Sequence, residues 1–202
     1  MTIIIIAFTA LFSILAFNNI DLFHQLKFNA WLIKTKKQGW RFFTYAFVHA
    51  GWTHLAINMF VLYSFGRNIE SSFNSIFGFP KGLFNYGMLY VGGIIFSTLF
   101  DFGKQKNNPY YDAVGASGAV AAIVFASILI DPKMSLFLFP IPIPIPAYIF
   151  GGLYLIYSAY MGKRGQDNIG HYAHFFGAVF GFVFTLLLKP SLLNEFIQHF
   201  LG

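Results

Sequence analysis

Residues 114–130 read VGASGAVAAIVFASILI, an uncharged stretch bounded by Asp112 on one side and by Asp131-Pro132 on the other. A run of about 17–25 apolar residues is the length at which one helix crosses the hydrocarbon core of a membrane. Within the stretch, Gly118 and Ala122 are four residues apart, a spacing of small residues that lets two membrane helices approach closely. The stretch therefore predicts a membrane-spanning helix packed tightly against a neighbour.

The composition of the whole chain agrees with a membrane environment. Of its 202 residues, 57% are apolar, 21% are aromatic and only 10% are charged, whereas soluble domains carry about 25% charged residues. Intrinsic disorder is excluded, because it requires low hydrophobicity and high charge. The chain has no cysteine, which excludes disulfides, thiolate catalysis and cysteine-ligated zinc. The net charge of +6 is scattered among apolar runs, so it favours membrane-flanking positions over nucleic-acid binding.

Six spans are predicted in a single domain covering residues 1–202. The other five are residues 3–17, 53–69, 83–100, 147–160 and 171–188. The first could be read as a signal peptide, but it lacks a basic leading region and a small-residue cleavage site. Residues 18–52 form a long, aromatic and basic first loop, which we expect to be embedded at the membrane interface. The fold class predicted is an all-α membrane protein.

The entry to the fifth span carries an alternating proline ladder. Prolines stand at every second position from Pro140 to Pro146. Proline removes backbone donors and cannot continue a helix, so this segment should be extended and similar to polyproline II. The fifth helix can begin only after Pro146.

Polar side chains at membrane depth are costly and are therefore candidates for function. His54 and Asn58 are four residues apart and share one face of the second span, Ser117 opens the fourth span, and His174 lies near the start of the sixth. Each has a structural reading, because a membrane serine often bonds the carbonyl four residues earlier and small residues often serve packing alone. Together they suggest more: close packing of the fourth and sixth spans can bring Ser117 beside His174, as a nucleophile and a general base require. The Ser117 backbone N–H, Asn58 and His54 could then stabilise an oxyanion. No Asp or Glu stands where it would orient His174, because Asp167 is seven residues earlier and is expected in a loop. A Ser–His dyad without a third residue is therefore expected.

These residues resemble the rhomboid family of intramembrane serine proteases. The matching pieces occur in the order typical of the family and are Trp40-Arg41, His49 with His54-x-x-x-Asn58, Gly115-Ala116-Ser117-Gly118, and Ala173-His174-x-x-Gly177-x-x-x-Gly181. The resemblance implies a six-helix rhomboid-like bundle, Ser117 as nucleophile, His174 as base, and an oxyanion hole formed by His54, Asn58 and the Ser117 amide. It also implies that His171 lies at the water-facing mouth and that His49 is structural.

The resemblance extends to a gate and to supporting positions. A mobile lateral gate for substrates is implied around residues 139–160, and its candidate residues are Phe139, Pro140, Pro146 and Tyr148. Glu70, after the turn at residues 65–67, resembles a polar lock at the end of the second helix. The other residues expected in structural support are Trp40, Arg41, Gly115, Gly118, Gly177 and Gly181.

Two features depart from the family pattern. Some members carry an aromatic ring one turn after the nucleophile, where this chain has Ala121, so the seating of His174 is expected from Phe175, Tyr111 or Tyr86. Nine basic residues on the side of the first loop, against four on the other, predict a cytoplasmic first loop. The family topology is the reverse, and we expect it to hold because four motifs outweigh a count dominated by one loop.

The expected partners are single-span transmembrane protein substrates and the lipid bilayer, with no nucleic acid, metal or cofactor. A bacterial plasma membrane is expected because the sequence shows no transit peptide. The alternatives are a rhomboid-like protein that binds membrane helices without cutting them, a histidine metal site and an aspartyl protease prompted by Asp112. The metal site lacks an HExxH glutamate, and the aspartyl protease lacks a second intramembrane aspartate, because Asp101 and Asp131 lie at span ends.

Overall fold

The computed structural model describes residues 1–138, 141–165, 167 and 169–201. These residues are mostly helical and form ten α-helices, one 3₁₀ turn at Tyr45–Phe47 and a two-stranded antiparallel hairpin. The helices are α1 Thr2–Phe17, α2 Ile20–Leu26, α3 Ala30–Lys36, α4 Arg41–Thr44, α5 Trp52–Phe77, α6 Lys81–Gln105, α7 Ser117–Ile130, α8 Ala147–Arg164, α9 His171–Leu188 and α10 Ser191–Leu201, and the strands are β1 Ser135–Leu138 and β2 Ile141–Pro146.

Helix α7, which contains most of the uncharged stretch at residues 114–130, forms the centre of the fold. Every residue of α7 from Gly118 to Leu129 is buried, and α5, α6 and α9 pack around it. The outer helices expose large apolar side chains, such as Ile4 on α1, Phe60 on α5, Ile156 on α8 and Leu187 on α9. Apolar surface on several helices around a buried central helix is the arrangement expected where the outside is lipid.

Two described helices, α6 and α9, are long and apolar enough to cross a membrane by length and composition. The apolar helices α1 and α7 have 16 and 14 residues and are shorter than this length. The six-span bundle therefore stays a prediction, although a helix lies at each of the six predicted positions.

Two predicted boundaries were wrong, and one helix was not predicted. The predicted turn at residues 65–67 is helical, because α5 continues to Phe77, so Glu70 lies inside the helix and not at its end. Asp101 does not close the third span, since it is buried within α6 and accepts a hydrogen bond from the Tyr111 hydroxyl at 2.9 Å. Helix α10 was not predicted; it follows Pro190, which ends α9 but does not prevent a new helix from starting.

The described part of the proline ladder, Ile141–Pro146, is extended, as predicted, but it is not an isolated polyproline segment. Strand β2 pairs with β1, with Leu136 opposite Ile145 and Ser135 opposite Pro146. Alternate prolines leave the isoleucine N–H groups available at every second position, which is the spacing at which an antiparallel strand can pair along one edge. The chain is thus predominantly but not entirely helical. The predicted gate residues Phe139 and Pro140 lie outside the described residues.

The long first loop is folded rather than irregular. Its helices α2 and α3 are each capped by an asparagine side chain, since Asn19 and Asn29 accept hydrogen bonds from Leu22 and Leu32. Phe28 forms an isolated antiparallel bridge with Ala113, and Lys27 forms an ion pair with Asp112 at 2.6 Å. The loop therefore holds the segment that leads into Ser117.

Candidate active site

The turn before Ser117 is fixed by its contacts with the first loop and with α5. Gly115 has a φ of +109°, a conformation that side-chain-bearing residues rarely adopt. A Cβ at Gly115 would also lie 2.5 Å from Cε1 of His54. The Gly115 N–H donates to the Tyr45 carbonyl at 3.0 Å, and the Ala116 N–H donates to Nε2 of His49 at 3.4 Å. Only glycine fits position 115, and these contacts aim the first turn of α7.

His49 stabilises this turn from the side of α1. It is almost fully buried, its Nδ1 lies 2.9 Å from the Ser13 hydroxyl on α1, and burial lowers its pKa to about 3. Its ring contacts that of His54 edge to face at 4.9 Å between centroids. A neutral His49 that accepts from Ala116 and donates to Ser13 fits the structural role implied by the resemblance.

Helices α7 and α9 approach closely because both carry small residues at their contact. A Cβ on Gly177 would collide with the Gly118 carbonyl, and a Cβ on Gly181 would collide with the Ala122 carbonyl. Gly118 itself faces Ser97 on α6. The predicted packing of small residues is therefore present, and it brings the first turns of the two helices together.

The result of this approach is a short hydrogen bond between the two predicted reactive side chains. Nε2 of His174 lies 2.7 Å from Oγ of Ser117, within the range for an O–H donor and an imidazole acceptor. The two residues are 57 positions apart in the chain. An alcohol and an imidazole in this geometry can act as nucleophile and base.

The residues predicted for the oxyanion hole line the same cavity as this pair. His54 and Asn58 lie one turn apart on α5, and the Asn58 amide donates to the His54 carbonyl at 2.9 Å. Ser117 is the first residue of α7, so its N–H has no acceptor within the helix. The cavity has a volume of about 1150 Å³ and is also lined by α6, α8 and α9, which leaves room for a peptide segment and water.

No carboxylate orients His174 among the described residues. Both oxygens of Asp167 lie 3.1 Å from Nε2 of His171, the histidine one helical turn before His174. This hydrogen bond holds the pKa of Asp167 below its usual range. His171 is only 4% exposed. It is therefore a buried neighbour of His174 on the wall of the cavity, bonded to the partly exposed Asp167, and its position at a water-facing mouth stays a prediction.

The three rings predicted to seat His174 have other contacts. Phe175 packs on Phe176, the Tyr111 hydroxyl donates to Asp101, and the Tyr86 hydroxyl accepts from Thr2. Two other rings lie beside His174: that of Tyr154 on α8, with centroids 6.4 Å apart and an angle of 29° between the planes, and that of His171 on the same helix, edge to face at 6.3 Å. The expectation that Phe175, Tyr111 or Tyr86 would seat His174 was wrong, because nothing in the sequence indicates that Tyr154 faces His174.

The predicted supporting residues lie at contacts between elements. Arg41 is 5% exposed and donates to the carbonyls of His24 at 2.9 Å and Lys27 at 2.6 Å. Trp40 precedes α4 and is exposed. Glu70 accepts from the backbone N–H and the hydroxyl of Thr2 at 2.8 and 2.7 Å, which ties α5 to α1.

The described gate residues lie where the hairpin meets α8. Pro146 pairs with Ser135, and the Tyr148 N–H donates to the Pro132 carbonyl at 3.1 Å. Among the described residues, no group of three or more histidine, aspartate or glutamate side chains could hold a metal ion.

Comparison with known proteins identifies the family of the chain. Residues 36–191 match the Rhomboid domain family. The chain is similar to rhomboid-like protein 11, chloroplastic, of Arabidopsis thaliana, with 26% identity over 88% of the chain and 59% of that protein. It is similar to RHOMBOID-like protein 4 of Arabidopsis thaliana (28% identity; 76% of the chain, 35% of that protein) and to human rhomboid-related protein 3 (31%; 46% and 20%). The chain thus spans less than two thirds of the length of these relatives.

Proposed function

The chain belongs to the rhomboid family, an integral membrane family, and on that premise we propose that it is an intramembrane serine endopeptidase. The observation that carries the proposal is the 2.7 Å contact between Oγ of Ser117 and Nε2 of His174. Membership in the family alone does not specify activity, so the proposal rests on this contact and on the groups around it.

The proposed reaction begins with proton transfer from the Ser117 hydroxyl to Nε2 of His174 as Oγ attacks the carbonyl carbon of the scissile peptide. The Ser117 N–H, the Asn58 amide and the His54 imidazole are the donors for the resulting oxyanion. The imidazolium then protonates the leaving nitrogen, and the C–N bond breaks to leave an acyl ester on Ser117. Water from the cavity, deprotonated by His174, hydrolyses the ester and restores the hydroxyl.

The proposed substrates are single-span membrane proteins that enter beside α8. This helix packs mainly on α9, and its exposed residues include Leu153 and Ile156, both apolar. A partly unwound segment is required, because peptide bonds within a helix are not accessible to a nucleophile. The proposed location is a bacterial plasma membrane, while the relatives named above come from a plant and from human.

The decisive experiment compares wild type with Ser117→Ala and His174→Ala after purification in detergent. We expect a fluorophosphonate to label wild type and neither variant, and we expect only wild type to cleave a single-span substrate in proteoliposomes. Ser127→Ala is a matched control, since Ser127 is a buried serine of the same helix whose hydroxyl donates to the Ile123 carbonyl. Activity should also survive a metal chelator.

A folded wild-type protein that is neither labelled nor able to cleave would reject the proposal. Co-purification of an intact single-span helix with such a protein would support the alternative, a rhomboid-like protein that binds membrane helices without cutting them.

A further inference from the structure

Position 121, one turn after Ser117, is filled by a small residue. Ala121 is 5% exposed and belongs to an apolar cluster that also contains Phe125 of α7. With no ring at this position, α7 supplies the reactive hydroxyl but no aromatic surface for the imidazole it contacts. That surface comes from another helix.

The side chain of Tyr154 on α8 packs into the same cluster. Its ring contacts Phe125 and Phe150 at 5.6 and 5.7 Å between centroids and stacks on His174 at 6.4 Å. Centroid separations of about 4.5–7 Å in an offset arrangement are favourable for aromatic pairs. The phenol is therefore held on one side by α7 and presents its ring to the imidazole.

The contact is part of a paired arrangement between α8 and α9. Tyr157, three residues after Tyr154, contacts His171 edge to face at 5.6 Å, and His171 lies three residues before His174. Residues three apart share a helix face. Two tyrosines of α8 thus cover two histidines of α9.

His174 needs such a surface because hydrogen bonds alone do not fix its ring. Within the described part of the chain, its ring hydrogen-bonds only to the Ser117 hydroxyl, and the nearby carboxylate of Asp167 is bonded to His171. An imidazole held at one nitrogen can still rotate about the bond to its own helix, and rotation would break the 2.7 Å contact.

We propose that Tyr154 is the positioning residue of His174, so that the base is aligned by a ring from α8 and not from the helix that carries the nucleophile. The inference rests on the proposed protease function. Three helices then contribute to the alignment: α7 carries the hydroxyl, α9 carries the imidazole, and α8 supplies the ring that the imidazole packs against.

The test compares Tyr154→Phe, which keeps the aromatic ring, with Tyr154→Leu and Tyr154→Met, which replace the ring with aliphatic side chains of two different shapes. Tyr160→Leu is the control, since Tyr160 is an exposed tyrosine of the same helix that contacts Arg164. The first measurement is the Cε1–H resonance of His174 in protein carrying isotope-labelled histidine, assigned by its loss in His174→Gln and recorded in a Ser117→Ala background as well. It reports the stacked ring whether or not the protein cleaves anything.

We expect the His174 resonance to move in the Leu and Met variants and to stay near its wild-type position in Tyr154→Phe and Tyr160→Leu. In active protein, the fluorophosphonate labelling rate and kcat should fall by about two- to tenfold in the Leu and Met variants, with KM little changed, and should be kept by Phe.

An unmoved resonance in the folded Leu or Met variant would overturn the proposal, as would a wild-type labelling rate in that variant or an equal loss in Tyr154→Phe. Failure of the protease proposal is read separately, from the absence of labelling in wild type.

Discussion

At the scale of single residues, two glycines of α9 set the distance between the reactive side chains. We expect Gly177→Ala and Gly181→Ala to destabilise the protein by about 1–3 kcal/mol and to slow labelling of Ser117, because each added methyl meets a backbone carbonyl of α7 that cannot yield without moving the helix. Thermal unfolding and fluorophosphonate labelling measure the two effects. Gly152→Ala on α8 is the control, since a Cβ there meets nothing within 4 Å; equal behaviour of Gly177→Ala and Gly152→Ala would contradict the prediction.

Also at the residue scale, Asn58 is expected to act in the transition state and not in folding. Its replacement by alanine should lower kcat by about 10²–10³-fold with a smaller effect on KM, because the lost amide is a donor to a charge that develops only during reaction. Asn18→Ala is a matched control: the Asn18 amide also donates to the carbonyl four residues earlier, at 3.2 Å, but lies on the surface. A large rise in KM at unchanged kcat would instead assign Asn58 to substrate binding.

The site residues that could be predicted from the sequence are those that stand in a recognisable local motif. Ser117 and His174 stand in glycine-rich surroundings and at helix starts, so their motifs and the spacing of small residues predicted that they would meet. Tyr154 carries no such mark, because an aromatic residue in an apolar helix is typical of packing anywhere. Which ring covers His174 depends on the rotation of α8 about its axis, and that is set by contacts with Phe125 and Phe150.

At the scale of elements, α10 is an integral part of the fold although it was not predicted. Leu192 is 2% exposed, whereas its neighbour Leu193 is 41% exposed. We expect Leu192→Ala to lower stability by about 2–5 kcal/mol through the cavity it leaves and Leu193→Ala to change it little, as measured by thermal unfolding in detergent. Similar unfolding temperatures for the two variants would show that α10 does not dock on the bundle in solution.

Element boundaries were less predictable than the elements because helices extend beyond their apolar stretches. Helix α6 continues through Asp101, which is accommodated by the Tyr111 hydroxyl, a partner ten residues away. The proline ladder predicted an extended segment through a local rule, but its partner β1 could not be inferred, since pairing depends on register between two strands. Local rules therefore give the conformation of a segment, and tertiary contacts give its ends and neighbours.

At the scale of the whole molecule, orientation in the membrane is the property on which the sequence gives two opposite answers. Basic residues near the first loop favour a cytoplasmic location for that loop, but the structure shows that three of them are engaged within the protein. Arg41 is buried on backbone carbonyls, Lys27 is paired with Asp112, and Lys34 donates to Asn107 at 2.7 Å. Lys189 on the other side is paired as well, with Glu195 at 3.6 Å. Without these four residues the count is six against three, so a charge bias toward a cytoplasmic first loop remains.

We nevertheless expect the orientation typical of the family, with the first loop and the cavity facing away from the cytoplasm and the end of α10 inside it, because the chain matches that family over residues 36–191 and the charge count is dominated by one loop. A fluorescent protein fused after Gly202 should be bright and alkaline phosphatase fused there should be inactive, because the former folds in the cytoplasm and the latter matures only outside it. The converse pair of fusions, inserted at the exposed Lys37 in the first loop, serves as the control. Active phosphatase after Gly202 would place the cavity on the cytoplasmic side, and the substrates would then have to be cut at their cytoplasmic ends.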